Sequence, residues 1–294
     1  MRRRFLLVHN PIAGMAGRRL LDRVVGALEA KGATVVRAAP GNGGPDLTPL
    51  NHESFDAVIA AGGDGTFRLL AKMLGPRLPI GFLPMGTGNV LAHEIGLPAG
   101  PAALADVFLD GPAIGIEGAR ANGEPFFLMA GAGFDGDVIQ RLDSSLKRRI
   151  GKAAYIGPVL GALAGGGEEL AVEVDGREHR AGWAVVANAR SYGGAFVIAP
   201  KADLSQAGLY AVLFHSRSRL VRLRQLLALG AGVLRHDPSV ETTPCRRVVI
   251  GSSKPVPVEI DGDPFATTPL VVEAGGPRAT LIVPPQYFEA QSQA

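Results

Sequence analysis

The chain has 294 residues, 47% apolar and 19% charged, enough to bury one large core or two ordinary ones and too apolar for disorder. Its net charge of +3 is a slight basic excess carried by arginine; that excess fits a phosphate-bearing partner, an anionic membrane surface or plain compositional bias, and no nucleic acid is expected. One cysteine, Cys245, excludes an intrachain disulfide and suits a cytoplasmic chain, while no apolar run reaches the ~20 residues of a membrane span.

The first third alternates strand and helix. Arg4–His9 reads as an apolar strand ending at Asn10-Pro11-Ile12-Ala13-Gly14. A helix follows, with Leu20, Leu21, Val24, Val25 and Leu28 on one face. Ala33–Ala38 reads as the second strand and Pro40–Pro49 as a Gly/Pro loop. Asp56–Ala61 is the third strand, running into Gly62-Gly63-Asp64-Gly65-Thr66 and a helix. Pro79–Leu83 is the fourth, ending at Pro84-Met85-Gly86-Thr87-Gly88-Asn89 before another helix, and Pro101–Asp110 is helical. Short buried strands alternating with helices predict a parallel sheet covered on both faces, with ligands beyond the carboxyl ends of its strands.

Past residue 110 the texture changes. Ala113–Arg120 and Glu124–Ala130 flank Asn122-Gly123, and Leu170–Val174 and Glu178–Ala181 flank Asp175-Gly176, both hairpin signals. Trp183–Asn188, Gly208–His215, Arg246–Ile250, Val256–Ile260, Pro269–Glu273 and Ala279–Val283 read as further strands. Strands joined by turns predict an antiparallel sandwich or barrel. The expected division is residues 1–120, which the last strand 278–290 is a candidate to rejoin, and a β-rich domain over 121–277. Two helical stretches interrupt the β-rich part, Asp137–Leu163 and Ser218–His236. In the second, Leu220, Leu223, Leu227, Ala231 and Leu234 share a stripe, with Arg219, Arg222, Arg224 and Arg235 off it. Such a helix either lies on anionic lipid, with Arg219, Arg222 and Arg224 as contacts, or packs its leucines inward and leaves a solvated arginine face.

Three glycine-bearing loops follow parallel strands: Asn10–Gly14, Gly62–Thr66 and Gly86–Asn89. Glycines let backbone N–H groups approach phosphate oxygens, and a helix N-terminus adds partial positive charge. Asp64 within such a loop calls for a metal, a basic partner or a hydroxyl proton; a tight turn with Asp as a helix cap reads the same residues without chemistry. The six histidines show no metal-ligand spacing. Ser144 and Ser145 lack a base, and Cys245 lacks a partner histidine. Asp135, at the end of a strand in Gly133-Phe134-Asp135-Gly136, reads as a substrate-facing residue or a turn residue.

The three loops in this order resemble the diacylglycerol kinase catalytic-domain family, which includes bacterial lipid kinases and the sphingosine and ceramide kinases and shares its nucleotide domain with NAD kinases and 6-phosphofructokinases. Ser191-Tyr192-Gly193-Gly194, Pro200-Lys201-Ala202 and Val258-Glu259-Ile260-Asp261-Gly262-Asp263 extend the resemblance over nearly the whole chain. It implies an NAD-kinase-like α/β domain followed by a β-sandwich-like domain. It further implies ATP held by Asn10, Gly62, Gly63, Asp64, Gly65, Thr66, Gly86, Thr87 and Asn89, and Mg2+ with Asp64 near the transferred group. Asp263, where the family carries Glu, would take the proton from a lipid hydroxyl in a cleft between the domains. The family's structural magnesium site maps to Leu204–Leu209, where Ala207 stands in place of Asp and the carbonyls of Leu204 and Leu209 remain as ligands. The expected activity is γ-phosphoryl transfer to a lipid alcohol by a cytoplasmic enzyme peripheral at the inner membrane face; a homodimer is compatible with the sequence. The competing readings are a kinase of a soluble acceptor on the same nucleotide fold, and a nucleotide- or lipid-binding regulator without turnover.

Overall fold

The structure is a computed structural model and describes residues 1–9, 15–38, 40–41, 44–143, 151–165 and 167–292. The chain divides into two units, Met1–Ile116 with Arg278–Ala294, and Glu117–Pro277.

The first unit is built on strands β1 (Arg4–His9), β2 (Thr34–Arg37), β3 (Ala57–Gly62) and β4 (Pro79–Pro84). They pair in parallel in the order β2-β1-β3-β4. Helices α1 (Met15–Ala30), α2 (Asp64–Leu74), α3 (Val90–Glu94) and α4 (Pro101–Asp110) complete it. Every residue of β3 is buried, the pattern of a strand covered on both faces. On one face Leu21, Val24 and Leu28 of α1 meet Leu104 and Phe108 of α4 in a single core with Phe5 and Ile59. The Pro40–Pro49 stretch, expected as a loop, holds a two-residue ladder, Pro40–Gly41 with Gly44–Pro45, before a short helix at Pro49–His52.

The second unit starts in strand β5 (Ala113–Ala121) and continues through β6 (Glu124–Phe126), β7 (Met129–Ala132), α5 (Phe134–Gln140) and α6 (Ile156–Ala164). Hairpin β8 (Leu170–Val174) and β9 (Arg177–Ala181) follows, then β10 (Trp183–Ala187), β11 (Leu209–Phe214) and α7 (Arg219–Gly230). The remaining strands are β12 (Val240–Cys245), β13 (Arg247–Ser252), β14 (Pro257–Ile260), β15 (Asp263–Thr267) and β16 (Leu270–Ile282), and α8 (Pro285–Ser292) ends the described chain. One antiparallel sheet runs β12-β11-β10-β7-β14-β15. Facing residues from β7, β10, β11 and β14 share a core with Leu170, Val172, Val248, Ile250 and Val272 of the β8, β13 and β16 ladder. The sandwich expected from the strand spacing is present.

Several boundaries differ from the sequence reading. Glu124–Ala130 is two strands, because Phe127 and Leu128 turn their N–H groups to a side chain instead of a neighbouring strand. Pro269–Glu273 and Ala279–Val283 are one strand, β16, whose first residues pair with β13 and whose Thr280 and Leu281 pair in parallel with β4. The expected strand over 278–290 therefore stops at Ile282 and gives way to α8. Strand β12 reads Val-Glu-Thr-Thr-Pro-Cys and has no apolar run to reveal it. Helix Asp137–Leu163 appears as α5 and α6, with Ser144, Ser145 and Lys147–Arg149 outside the described residues.

Candidate functional site

In the first unit, β3 stops at Gly62, and Gly63 is the N-cap of α2 with extended backbone. A Cβ on Gly62 would lie 2.2 Å from Thr66 Oγ1, so Thr66 folds back over the strand end only because glycine stands there. The second loop comes just as close: a Cβ on Gly86 would lie 2.8 Å from Gly63 Cα and 2.8 Å from Asn89 Oδ1. Asn89 adopts the left-handed conformation at φ 47°, which Asn tolerates better than most residues. There its Oδ1 accepts the Gly86 N–H at 2.9 Å and its Nδ2 donates to the Gly86 carbonyl at 2.7 Å, closing the 86–89 turn on itself. Asp64 then joins the two loops, because Oδ2 accepts the Val90 N–H and Oδ1 the Leu91 N–H, each at 3.0 Å. The first amides of α3 need partners from outside the helix, and this carboxylate supplies them.

The sequence-predicted residues Gly62, Gly63, Asp64, Gly65 and Thr66 therefore span the end of β3 and the first turn of α2, and Gly86, Thr87 and Asn89 form the adjoining loop between β4 and α3. Asn10 lies outside the described residues. Asp64 has work that the resemblance did not imply: both oxygens hold backbone amides of the next loop. The cap reading caught the kind of interaction but not its target, which is α3, not the helix Asp64 begins.

The second unit holds a group of buried acids. Asp261 and Gly262, at φ 50° and 80°, form the two-residue turn between β14 and β15, with Ile260 paired to Asp263. Asp261 is buried and accepts the N–H groups of Phe127, Leu128 and Met129 at 3.1, 2.8 and 3.2 Å. Glu259, fully buried, accepts the Gly262 N–H at 2.7 Å. Asp135, in the first turn of α5, is the charged neighbour that acts on it most strongly; the Tyr192 hydroxyl donates to Asp135 Oδ1, while Asp135 Oδ2 and Glu259 Oε1 have no hydrogen-bond partner among the described residues. Burial pushes Asp135 up to about 6, against the Tyr192 hydrogen bond. Burial and then the Asp135 charge push Glu259 well above the usual carboxylate range. Asp263 follows directly, half-buried at the first position of β15.

Sequence reasoning found Asp263 and Asp135 and quoted Tyr192 and Glu259 only as motif letters. Two glycines carried the missing signal. A Cβ on Gly131 would lie 2.2 Å from Asp135 Oδ2, and one on Gly136 would lie 2.1 Å from the Pro257 carbonyl. Those glycines let α5 close onto β7 and β14, which is what brings Asp135 to Glu259.

The Leu204–Leu209 segment does not fit a hard cation. Leu204 gives its carbonyl to the Glu117 N–H at 2.9 Å. Asp203 accepts from Ser205 N and Oγ at 2.8 Å and from Gln206 Nε2 at 3.1 Å. Ala207 and Leu209 line a cavity of about 330 Å3 with Asp203, Asp175 and the ammonium-bearing Lys201. Asp175 is engaged as well, accepting the Arg246 and Arg247 N–H groups at 3.1 and 2.8 Å, and two engaged carboxylates beside an ammonium lack the open charged oxygens a Mg2+ or Ca2+ cage needs. No group of three or more His, Cys, Asp and Glu capable of holding a metal occurs among the described residues.

The arginines of α7 also depart from expectation. Arg222 is 2% exposed, its guanidinium 5.4 Å from the Phe134 ring centroid and 3.4 Å from the Ala162 carbonyl. It is no surface contact. Arg224 is held by Asp237 at 2.9 and 2.7 Å, and Arg219 is exposed. The helix is turned about its axis relative to the sequence reading: Arg222, Gln225 and Leu229 face inward, while Leu220, Leu223 and Leu227 face out.

Residues 4–121 match the diacylglycerol kinase catalytic domain, and residues 129–283 match the YegS C-terminal NAD kinase beta sandwich-like domain. A diacylglycerol kinase of Mycobacterium tuberculosis is 29% identical over 300 residues, covering 95% of this chain and 94% of its own. A YegS-like lipid kinase of Pseudomonas fluorescens is 32% identical over 219 residues, 71% of each chain. A crystal structure of a diacylglycerol kinase from Bacillus anthracis strain Sterne superposes with a TM-score of 0.72 at 22% identity, covering 97% of this chain and 98% of its own, a likeness of fold.

Proposed function

The chain belongs to the diacylglycerol and YegS-like lipid kinase family and is a kinase, and on that premise we propose that it transfers the γ-phosphoryl group of ATP to the hydroxyl of a lipid alcohol. The observation that carries the reading is the joined pair of loops in the first unit. Gly63 and Gly86 meet backbone to backbone, and Asp64 fixes the second loop through Val90 and Leu91. Two glycine loops locked at the carboxyl edge of a parallel sheet, one of them opening a helix, suit a chain of phosphates. Gly62–Thr66 would hold the phosphates and Gly86, Thr87 and Asn89 the rest of the nucleotide.

In the transfer, the acceptor oxygen bonds to the γ-phosphorus, the bond to the β-phosphate oxygen breaks, and ADP leaves. Asp263 is the proposed acceptor of the hydroxyl proton. Its place at the start of β15 is set by the turn that Asp261 and Glu259 hold from either side. Magnesium, arriving with the nucleotide, would neutralise phosphate charge.

The test is incubation with labelled ATP and a mixed lipid extract, followed by identification of the labelled product. A phosphorylated lipid that disappears in Asp263→Asn is the expected result. Label passing instead to NAD or a sugar phosphate in the absence of lipid overturns the choice of acceptor, and ATP binding with no product from any acceptor favours a regulator.

A further inference from the structure

Helix α7 is inside out for a surface helix of a water-exposed domain. Residues 222, 225 and 229 lie on one face and residues 220, 223 and 227 on the opposite one, at the spacing i, i+3, i+7. The inner face spends an arginine and a glutamine, both almost fully buried, while Leu220 and Leu227 are 79% and 66% exposed. Burying Arg222 has a cost, since its Nη2 finds no partner among the described residues. A domain that hides polar side chains and presents leucines leaves the apolar face for something else.

Two elements in contact with α7 also expose apolar side chains. Helix α6, which packs beside α7, has no charged residue and exposes Ile156 and Leu160, at 61% and 60%. The Phe196–Val197 strand, also in contact with α7, exposes Phe196 as well. Six large apolar side chains from three elements of one unit exceed the scattered exposure of an ordinary surface.

We propose that α7, with α6 and the Phe196 strand, is the surface by which this kinase docks on an anionic lipid bilayer, the leucines entering the acyl boundary. The inference rests on the lipid-kinase reading and adds how the enzyme meets its substrate. Charge selects the occupant. No Asp or Glu occurs from residue 204 to residue 236, and Arg217, Arg219 and Arg235 are exposed around the leucines. An apolar centre with a cationic edge matches acyl chains beneath anionic headgroups. This inverts the sequence expectation: the leucines carry the contact, and of Arg219, Arg222 and Arg224 only Arg219 stands at its edge without burial or a bidentate carboxylate partner.

The experiment is co-sedimentation of the full chain with phosphatidylcholine vesicles, with and without phosphatidylglycerol. The wild type is compared with a variant carrying Leu220→Ser, Leu223→Ser and Leu227→Ser. The expected result is wild-type binding that strengthens with phosphatidylglycerol and weakens at least about tenfold in the variant, as lost insertion of three leucines requires. The substituted side chains are exposed, so an unchanged melting temperature is expected alongside. Equal vesicle binding by both proteins, or none by the wild type, overturns the proposal. So does a wild-type dimer in sedimentation equilibrium that the variant loses, which assigns the face to a second copy. Transfer to a water-soluble short-chain diacylglycerol is measured in parallel. Docking fails alone if transfer persists while the binding difference is absent; the functional reading fails alone if neither protein transfers phosphate while the binding difference is present.

Discussion

Val90 donates its backbone N–H to Oδ2 of Asp64 at 3.0 Å, across 26 residues of sequence. With the matching bond from Leu91 to Oδ1, the carboxylate acts as the cap of a helix that is not its own. Asp64 is thereby a positioning residue for the 86–89 turn, and a chemical role for it rests on lone pairs those bonds leave. Asp64→Asn keeps one acceptor and loses the charge, whereas Asp64→Ala loses both acceptors. We expect Asp64→Ala to cost on the order of 2 kcal/mol of stability and to remove most ATP binding. Asp64→Asn is expected to melt between the two and to retain ATP binding measurably above Asp64→Ala. Equal loss of binding in both, with no difference in melting temperature, would show that the charge matters and the cap does not.

Gly86→Ala tests the contact between the loops. Its Cβ would meet Gly63 Cα and Asn89 Oδ1, and the Gly63 backbone cannot yield without moving the start of α2. A destabilisation of about 1–3 kcal/mol is expected, with a larger fractional loss in ATP affinity by isothermal titration than in stability by denaturant melt.

The buried carboxyls of Asp135 and Glu259 set a pH dependence. Both carboxyls are raised in the folded chain, so between the ordinary carboxylate range and those raised values the folded state binds more protons than the unfolded one. Stability is then fully present below about pH 4 and falls as pH rises through 6 and above. Wild type should melt higher at pH 5 than at pH 8 by more than Glu259→Gln does. Identical pH profiles would remove the pair from the account.

Asp261 and Asp263, two residues apart, should separate cleanly. Asp261→Ala leaves three buried amides without an acceptor and is expected to cost about 2–4 kcal/mol. Asp263→Asn should melt like wild type and yet lose transfer by at least about a hundredfold. An active Asp263→Asn would reassign the proton acceptor.

Removal of divalent cations bears on the Leu204–Leu209 segment. With Leu204 and Asp203 already engaged, Mg2+ without nucleotide should leave the melting temperature where a chelator leaves it. A rise with Mg2+ that depends on Asp203 would restore a cation to that segment.

The parallel unit was legible from local pattern, because β1, β3 and β4 are continuous apolar runs that end at glycine loops, and each can be read within a dozen residues. The sandwich was legible in outline through the Asn122-Gly123 and Asp175-Gly176 turns, which take positive φ as such pairs do, and Asp64 and Asp263 were singled out by their motifs, which the structure places at the first positions of α2 and β15. Tertiary structure alone decided what those residues touch. The partners of Asp64 lie 26 and 27 residues away, and Glu259 meets an aspartate more than a hundred residues earlier; no local pattern encodes such distances. It also decided which way α7 faces. A stripe of leucines and a stripe of arginines are equally visible in sequence, and only the packing of Phe134, Ala162 and Ser239 against the helix selects the arginine side to be buried.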